Sequence, residues 1–176
     1  MSGHSKWSKI KHKKAASDAQ KSKVFGKLAH LIATESRSAK GDVNAPNLRT
    51  AIEKARAVNM PSDNILRAIK KGTDSSAVHM EHVVYEAYGP GGSALIIEGL
   101  TDNRNRTSQE IRHLLSIHDA SLAEQGAASW AFEKKDGEWV PKISVPLSEE
   151  DGEKLGKIIE ELEDSDDVQN VFTNAE

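Results

Sequence analysis

At residues 73–78, Thr-Asp-Ser-Ser-Ala-Val, the spacing of apolar residues changes, and that change limits the folds open to the chain. Before it, apolar residues recur every three or four positions. Phe25, Leu28, Leu31 and Ile32, with Ala29 beside them, form one stripe and predict a helix over 17–40 with Gly41 as its C-cap. Pro46 suits a first helical turn, and Leu48, Ala51, Ile52 and Ala55 predict a second helix over 46–59. Pro61 ends it and opens a third over about 61–71, with Ile65, Leu66 and Ile69 inward and Gly72 at its end. Three short amphipathic helices bury their stripes by forming a small bundle.

After the linker the period drops to two or the apolar run becomes continuous. Residues 81–88 (EHVVYEAY) and 93–100 (SALIIEGL) predict strands joined by the turn Gly-Pro-Gly-Gly. Residues 107–118 predict a helix opened by Thr107 and Glu110 in capping-box spacing, with Ile111, Leu114 and Leu115 inward. Strands are predicted over 127–133 and 139–145 across the turn KKDGE, the second at an edge because it contains Pro141. Ser148 and Asp151 cap a helix carrying Leu155, Ile158, Ile159 and Leu162, and residues 167–173 predict a last strand. The order β-β-α-β-β-α-β indicates an α+β domain, a mostly antiparallel sheet with helices on one face. The expected division is a basic helical domain over 1–76 and an acidic α+β domain over 77–176.

Charge follows the same division. The formal net charge is −3, yet residues 1–80 carry 16 Lys/Arg against 6 Asp/Glu, and residues 81–176 carry 8 against 21. These are +10 and −13. With screening over about 8–10 Å at cellular ionic strength, the two halves act as separate fields, and a polyanion meets the first as a cation. No cysteine is present, which excludes disulfides, thiol catalysis and cysteine-based metal sites. No apolar run approaches the 18 or so residues of a membrane helix. The start lacks the apolar core of a secretory signal and the arginines of a transit peptide, so a cytoplasmic protein is expected.

The most basic stretch is the opening one. His4, Lys6, Trp7, Lys9, Lys11, His12, Lys13, Lys14, Lys21 and Lys23 combine cations with one large aromatic ring. Nucleic acid takes that combination: ammonium groups displace counterions from phosphates, and an aromatic stacks on an exposed base. A solvated lysine tail is the bland alternative, but it needs neither Trp7 nor Ile10. Arg49, Lys54, Arg56, Arg67, Lys70 and Lys71 extend the positive sign along the second and third helices.

In the second half, Thr-Asp-Asn-Arg-Asn-Arg-Thr (101–107) sets Arg104 and Arg106 before a helix, where they could contact an anion or RNA. Equally, Asp102 and Asn103 could satisfy turn backbone while an arginine pairs with a nearby acid. Gly-Pro-Gly-Gly (89–92) could cradle a phosphate through backbone N–H groups, but it lacks the following Gly-Lys-Ser/Thr of a phosphate-binding loop, and a hairpin turn is the better reading. His79 and His82 have no third ligand, and no nucleophile–base motif is present. The many evenly spread carboxylates of 148–167 read as a solvated acidic helix. No enzyme, no cofactor, no metal and no small-molecule substrate are expected.

The stretches SGHSKWSKIKHKKAASDAQKSKVFGKL, AIEKARAVNMPSDNILRAIKKG, YEAYGPGGSALIIEGLTDNRNRT and LEDSDDVQNVF resemble, in that order, the YebC family of regulatory proteins. Its mitochondrial relatives include the translational activator of cytochrome c oxidase. The resemblance implies a helical N-terminal domain followed by α+β domains, no catalysis, and a cytoplasmic role in gene expression. Bacterial members are described as DNA-binding transcriptional regulators, others as translation factors acting on the ribosome. One departure stands out: the third domain usually inserted between the segments resembling WAFEKK and VPLSEEDGEKL is missing, near residues 134–142. A function that needs a cleft between three domains is thereby put in question. The expected partner is nucleic acid, either DNA or ribosomal RNA and with it the ribosome. A monomer is expected, because no dimer seam is visible. The rival from another class is a protein-interaction adaptor working through the acidic half.

Overall fold

The computed structural model describes residues 18–176, which divide into two compact units, one up to Glu81 and one from His82 to Glu176. The first is a bundle of α1 (Asp18–Ser38), α2 (Pro46–Ala57) and α3 (Ser62–Thr73). Ile32, Leu48, Ala51, Ile52, Ala55, Met60, Ile65 and Ala68 form its core, with Phe25, Leu28 and Ile69 packed against it. Leu66 departs from expectation. It points to solvent at 63% exposure, because α3 turns the Ile65/Ala68/Gly72 stripe inward. Gly72 sets the spacing of α1 and α3: a Cβ there would lie 2.2 Å from the Ala33 carbonyl oxygen. Only glycine permits that approach, and Ser36 Oγ locks it by donating to the Ile69 carbonyl at 2.7 Å.

The second unit is α+β. Its main sheet has the order β3-β1-β2-β6, from β1 (Glu81–Tyr88), β2 (Ala94–Thr101), β3 (Ser121–Ala123) and β6 (Val168–Thr173). The β1–β3 and β2–β6 pairs are antiparallel. Between β1 and β2, the Gly89 N–H donates to the Ser93 carbonyl at 2.8 Å and closes the expected hairpin turn. Helices α4 (Arg104–Ile117) and α5 (Glu149–Asp164) pack on one face, where Ile111, Leu115, Leu155, Ile158 and Leu162 meet Ala87, Leu95, Ile97, Val168 and Val171.

The other face is covered too. A two-stranded sheet of β4 (Phe132–Lys135) and β5 (Glu138–Pro141) sets Phe132 and Trp139 against Ala94, Ile96 and Phe172. Burial from both sides explains the near-continuous apolar sequence of β2. Pro141 lies on β5, whose one ladder partner is β4, so its missing N–H breaks no second ladder.

Three local expectations need correction. The strand expected over 127–133 is a turn, a 3-10 segment (Ser129–Ala131) and only then β4. The strand expected over 139–145 ends at Pro141, and β3 was not foreseen. The first has its cause in Glu86, buried on β1, whose carboxylate accepts the backbone N–H groups of Gly126, Ala128 and Ser129. Those donors are spent on a side chain 40 residues away and are withdrawn from any strand ladder.

Candidate nucleic-acid interface

Lys6, Trp7, Lys9, Lys11, His12, Lys13 and Lys14 lie outside the described residues. Lys21 and Lys23 are described, and both are exposed on the first turns of α1. Two positions apart, they project from different sides of the helix. Lys23 instead shares a side with Lys27, four residues on.

The cations expected along the second and third helices fall into two groups. Arg49 pairs with Glu53 at 3.1 Å, and Arg67 donates to Asn64 Oδ1 at 2.6 Å and to the Asp63 carbonyl. Lys54 and Arg56 occupy the last turn of α2, and Lys70 and Lys71 that of α3, all exposed. A helix C-terminus favours cations there whatever else they do.

Of the Asp-Asn-Arg-Asn-Arg segment, Asp102 and Asn103 form the turn and Arg104, Asn105 and Arg106 open the helix α4. Asn103, not Thr107, is the N-cap of α4, and its side chain accepts the Arg106 N–H at 3.1 Å. Thr107 is buried one turn inside. Its hydroxyl lies 2.7 Å from Asp167 Oδ2 and 2.8 Å from Thr101 Oγ1. Arg106 Nη2 donates to Asp102 Oδ1 at 2.8 Å and to Asp167 Oδ2 at 2.9 Å, with Glu110 3.9 Å from its Nε. Asp167 first, and then Asp102, hold the guanidinium even further above its ordinary pKa, so it stays charged and engaged with acids. Arg104, one turn-step earlier, is exposed, and its carbonyl accepts the Tyr85 hydroxyl at 3.3 Å.

Asp167 is the residue that sequence reasoning missed. It sits between α5 and β6, some 60 positions from its partners, and no local pattern marks it. A shift in the β2–β6 register at Glu98/Gly99 brings it close: its carbonyl accepts the Leu100 N–H at 2.8 Å, and a Cβ on Gly99 would meet that oxygen at 2.6 Å. The motif at 101–107 is therefore a clasp between the β2–α4 turn and the α5–β6 turn. Asp167→Ala should destabilise this unit by about 2 kcal/mol, the worth of charge-assisted hydrogen bonds lost at a mostly buried acid. Denaturant unfolding of Asp167→Ala, Arg106→Ala and the double variant checks this. Additive effects within about 0.3 kcal/mol would rule out the coupling.

Three comparisons with known proteins bear on this arrangement. Residues 5–75 match the TACO1/YebC protein N-terminal domain, and residues 80–137 and 135–175 match the TACO1/YebC second and third domain. The chain belongs to the YebC family. A protein from Thermosipho melanesiensis, named a probable transcriptional regulatory protein, is 40% identical over 235 aligned positions covering 99% of this chain and 93% of that relative. A chain of 176 residues leaves at least 59 of those positions in the relative without a counterpart. A protein of the same name from Pseudothermotoga lettingae is 48% identical over 177 positions, 99% of this chain and 70% of that one. The crystal structure of a conserved hypothetical protein from Aquifex aeolicus superposes with a TM-score of 0.83 at 32% identity, covering 98% of this chain and 97% of the other. The YebC family thus accounts for both the helical bundle and the α+β unit. Among the described residues, no helix is long and apolar enough to cross a membrane.

Proposed function

We propose that this YebC-family chain is a non-enzymatic regulator of gene expression that acts in the cytoplasm and holds nucleic acid by its phosphates. Lys6, Lys9, Lys11, Lys13, Lys14, Lys21 and Lys23 supply the cations, with Trp7 and His12 beside them. Arg104 makes a second contact, on a turn that Arg106 and Asp167 hold in place. The observation that carries this reading is the charge division, +10 before residue 81 and −13 after it, in a chain whose relatives are named probable transcriptional regulatory proteins.

The geometry of the bundle favours phosphate contact over base reading. A recognition helix reads base edges through its N-terminal residues. The first turn of α3 offers Asp63 and an Asn64 engaged by Arg67, and the helix's other cations, Lys70 and Lys71, stand at the far end. An interface of this kind suits structured RNA or duplex DNA without strong sequence preference. The reading that the family's third domain is missing near residues 134–142 leaves this proposal untouched, since none of the residues proposed to hold phosphates lies there.

Crosslinking the tagged protein in cells and sequencing the recovered nucleic acid tests the proposal. Ribosomal RNA would assign the protein to translation, and a limited set of promoter fragments to transcription. Recovery of neither would end the nucleic-acid reading.

A further inference from the structure

Where α1 and α3 end, the bundle has an open cleft of about 410 Å³ lined by Arg37, Lys40, Gly72, Thr73, Asp74 and Ser75. Two helix C-termini would ordinarily draw a cation to such a place. Here their carbonyls are occupied. Those of Glu35, Ser36 and Arg37 accept the N–H groups of Ala39, Gly41 and Lys40, and that of Lys71 accepts the Asp74 N–H. The Ile69 and Lys70 carbonyls accept the hydroxyls of Ser36 and Thr73. The groups with donors to spare are cations. Arg37 Nη1 donates to the Ala77 carbonyl at 2.7 Å, which fixes the guanidinium at the cleft and leaves its other N–H groups available. Lys40 makes no side-chain hydrogen bond or ion pair among the described residues, whereas Arg49, Arg106, Lys134 and Lys154 all pair with carboxylates.

The backbone of Lys40 is a second, independent sign. It stands at φ 52°, in the left-handed region. The other described non-glycine residues there are Asn59, Asp119 and Asp136, whose short polar side chains suit that conformation. Glycine would close this turn with less strain, so a lysine here is explained by a use for its ammonium group outside the turn.

We infer that this cleft takes a phosphate of the nucleic-acid backbone, held by Lys40 and Arg37 with the Ser75 hydroxyl as a third donor. The inference rests on the nucleic-acid reading above and extends it from the arm to the folded bundle. The charge that selects the occupant is local: residues 37–42 and 70–75 carry Arg37, Lys40, Lys70 and Lys71 against Asp42 and Asp74. Both acids are engaged with their own turns, Asp42 Oδ1 with the Asn44 N–H and Asp74 Oδ1 with the N–H and hydroxyl of Ser76. Lys70 and Lys71, exposed in the last turn of α3, continue the positive edge, which suits a chain of phosphates better than a single anion.

Lys40→Gly in the full chain, measured by fluorescence anisotropy on a 20-base-pair duplex, tests the site. Glycine relieves the left-handed turn, so the melting temperature should hold or rise. The slope of log affinity against log salt should nevertheless fall by about 0.9, so that wild type loses about threefold more affinity than the variant between 50 and 200 mM salt. Asp74→Asn keeps an acceptor for Ser76 and removes a negative charge from the cleft, so it should bind the duplex more tightly. Duplex binding with an unchanged slope in Lys40→Gly would overturn the cleft as a site and leave the arm's role standing. Failure of wild type to bind either the duplex or a structured RNA would overturn both. Calorimetry with inorganic phosphate and pyrophosphate separates the sources of the phosphate. Saturable binding of either that Lys40→Gly abolishes, with the duplex slope unchanged, would assign the cleft to a small phosphate compound and overturn its contact with a backbone.

Discussion

Glutamine in place of Lys6, Lys9, Lys11, Lys13 and Lys14 should flatten the salt dependence of nucleic-acid binding. Each lysine that meets a phosphate contributes about 0.9 to the slope of log affinity against log salt on a duplex. Five such contacts contribute about 4.5, so the wild type should lose about 500-fold more affinity than the variant between 50 and 200 mM salt. The five substitutions remove charge from a segment rich in polar residues, and among the described residues the apolar stripes that build the bundle begin at Phe25. A loss of binding would therefore report on contact rather than unfolding. Fluorescence anisotropy on a 20-base-pair duplex and on a structured RNA, at four salt concentrations, gives both slopes. Parallel lines for wild type and variant would remove the arm from the interface.

The second large effect is expected at Glu86. Alanine there leaves three backbone N–H groups without their acceptor and should cost about 3 kcal/mol or more, since each charge-assisted bond is worth about 1.5–3 kcal/mol and water can replace only the outer ones. Glutamine should cost less, about 1–2 kcal/mol. Its oxygen can serve Ala128 and Ser129 in place of Oε1, but its amide would face the Gly126 N–H, donor against donor. Burial opposes ionisation of this carboxyl, yet the N–H groups of Gly126, Ser129 and Ala128 outweigh it and hold the pKa below its ordinary 4.5. A group depressed in the folded state stabilises above its unfolded value and loses that contribution as pH falls through the folded one. Wild type should therefore lose stability below about pH 4.5 by a step that Glu86→Gln lacks. Urea unfolding from pH 7 down to pH 3 reads both the gap at neutrality and its narrowing in acid. Identical wild-type and glutamine profiles would show that the carboxylate is not ionised in the folded protein.

Both effects differ in how far they were legible beforehand. The lysine arm is a statement about charge density along a short stretch, which needs no fold. Glu86 is the opposite case: in EHVVYEAY it reads as one polar position of an alternating strand. Arg106 is intermediate. Two readings were open, an anion contact or a pairing with a nearby acid, and the acids around it include Asp167, 61 residues away. Thr107 misled for the same reason. Its spacing to Glu110 imitates a capping box, but its hydroxyl serves Thr101 and Asp167, and the cap belongs to Asn103.

What the sequence determined by itself is whatever depends on neighbours within one turn or one pleat. That includes the change of period at 73–78, the three helices before it, the strands flanking Gly-Pro-Gly-Gly, and the division of charge. Tertiary structure alone decided what depends on distant partners: which N–H groups Glu86 removes from the 126–129 segment, which acid clasps Arg106, that Leu66 faces outward, and that the second face of β2 is covered by the β4–β5 hairpin. The reason is that apolar periodicity records only that a side chain is buried. It carries no address for the group across the core that buries it, and a hydrogen bond between residues 40 or 60 positions apart exists only once the chain has closed that distance.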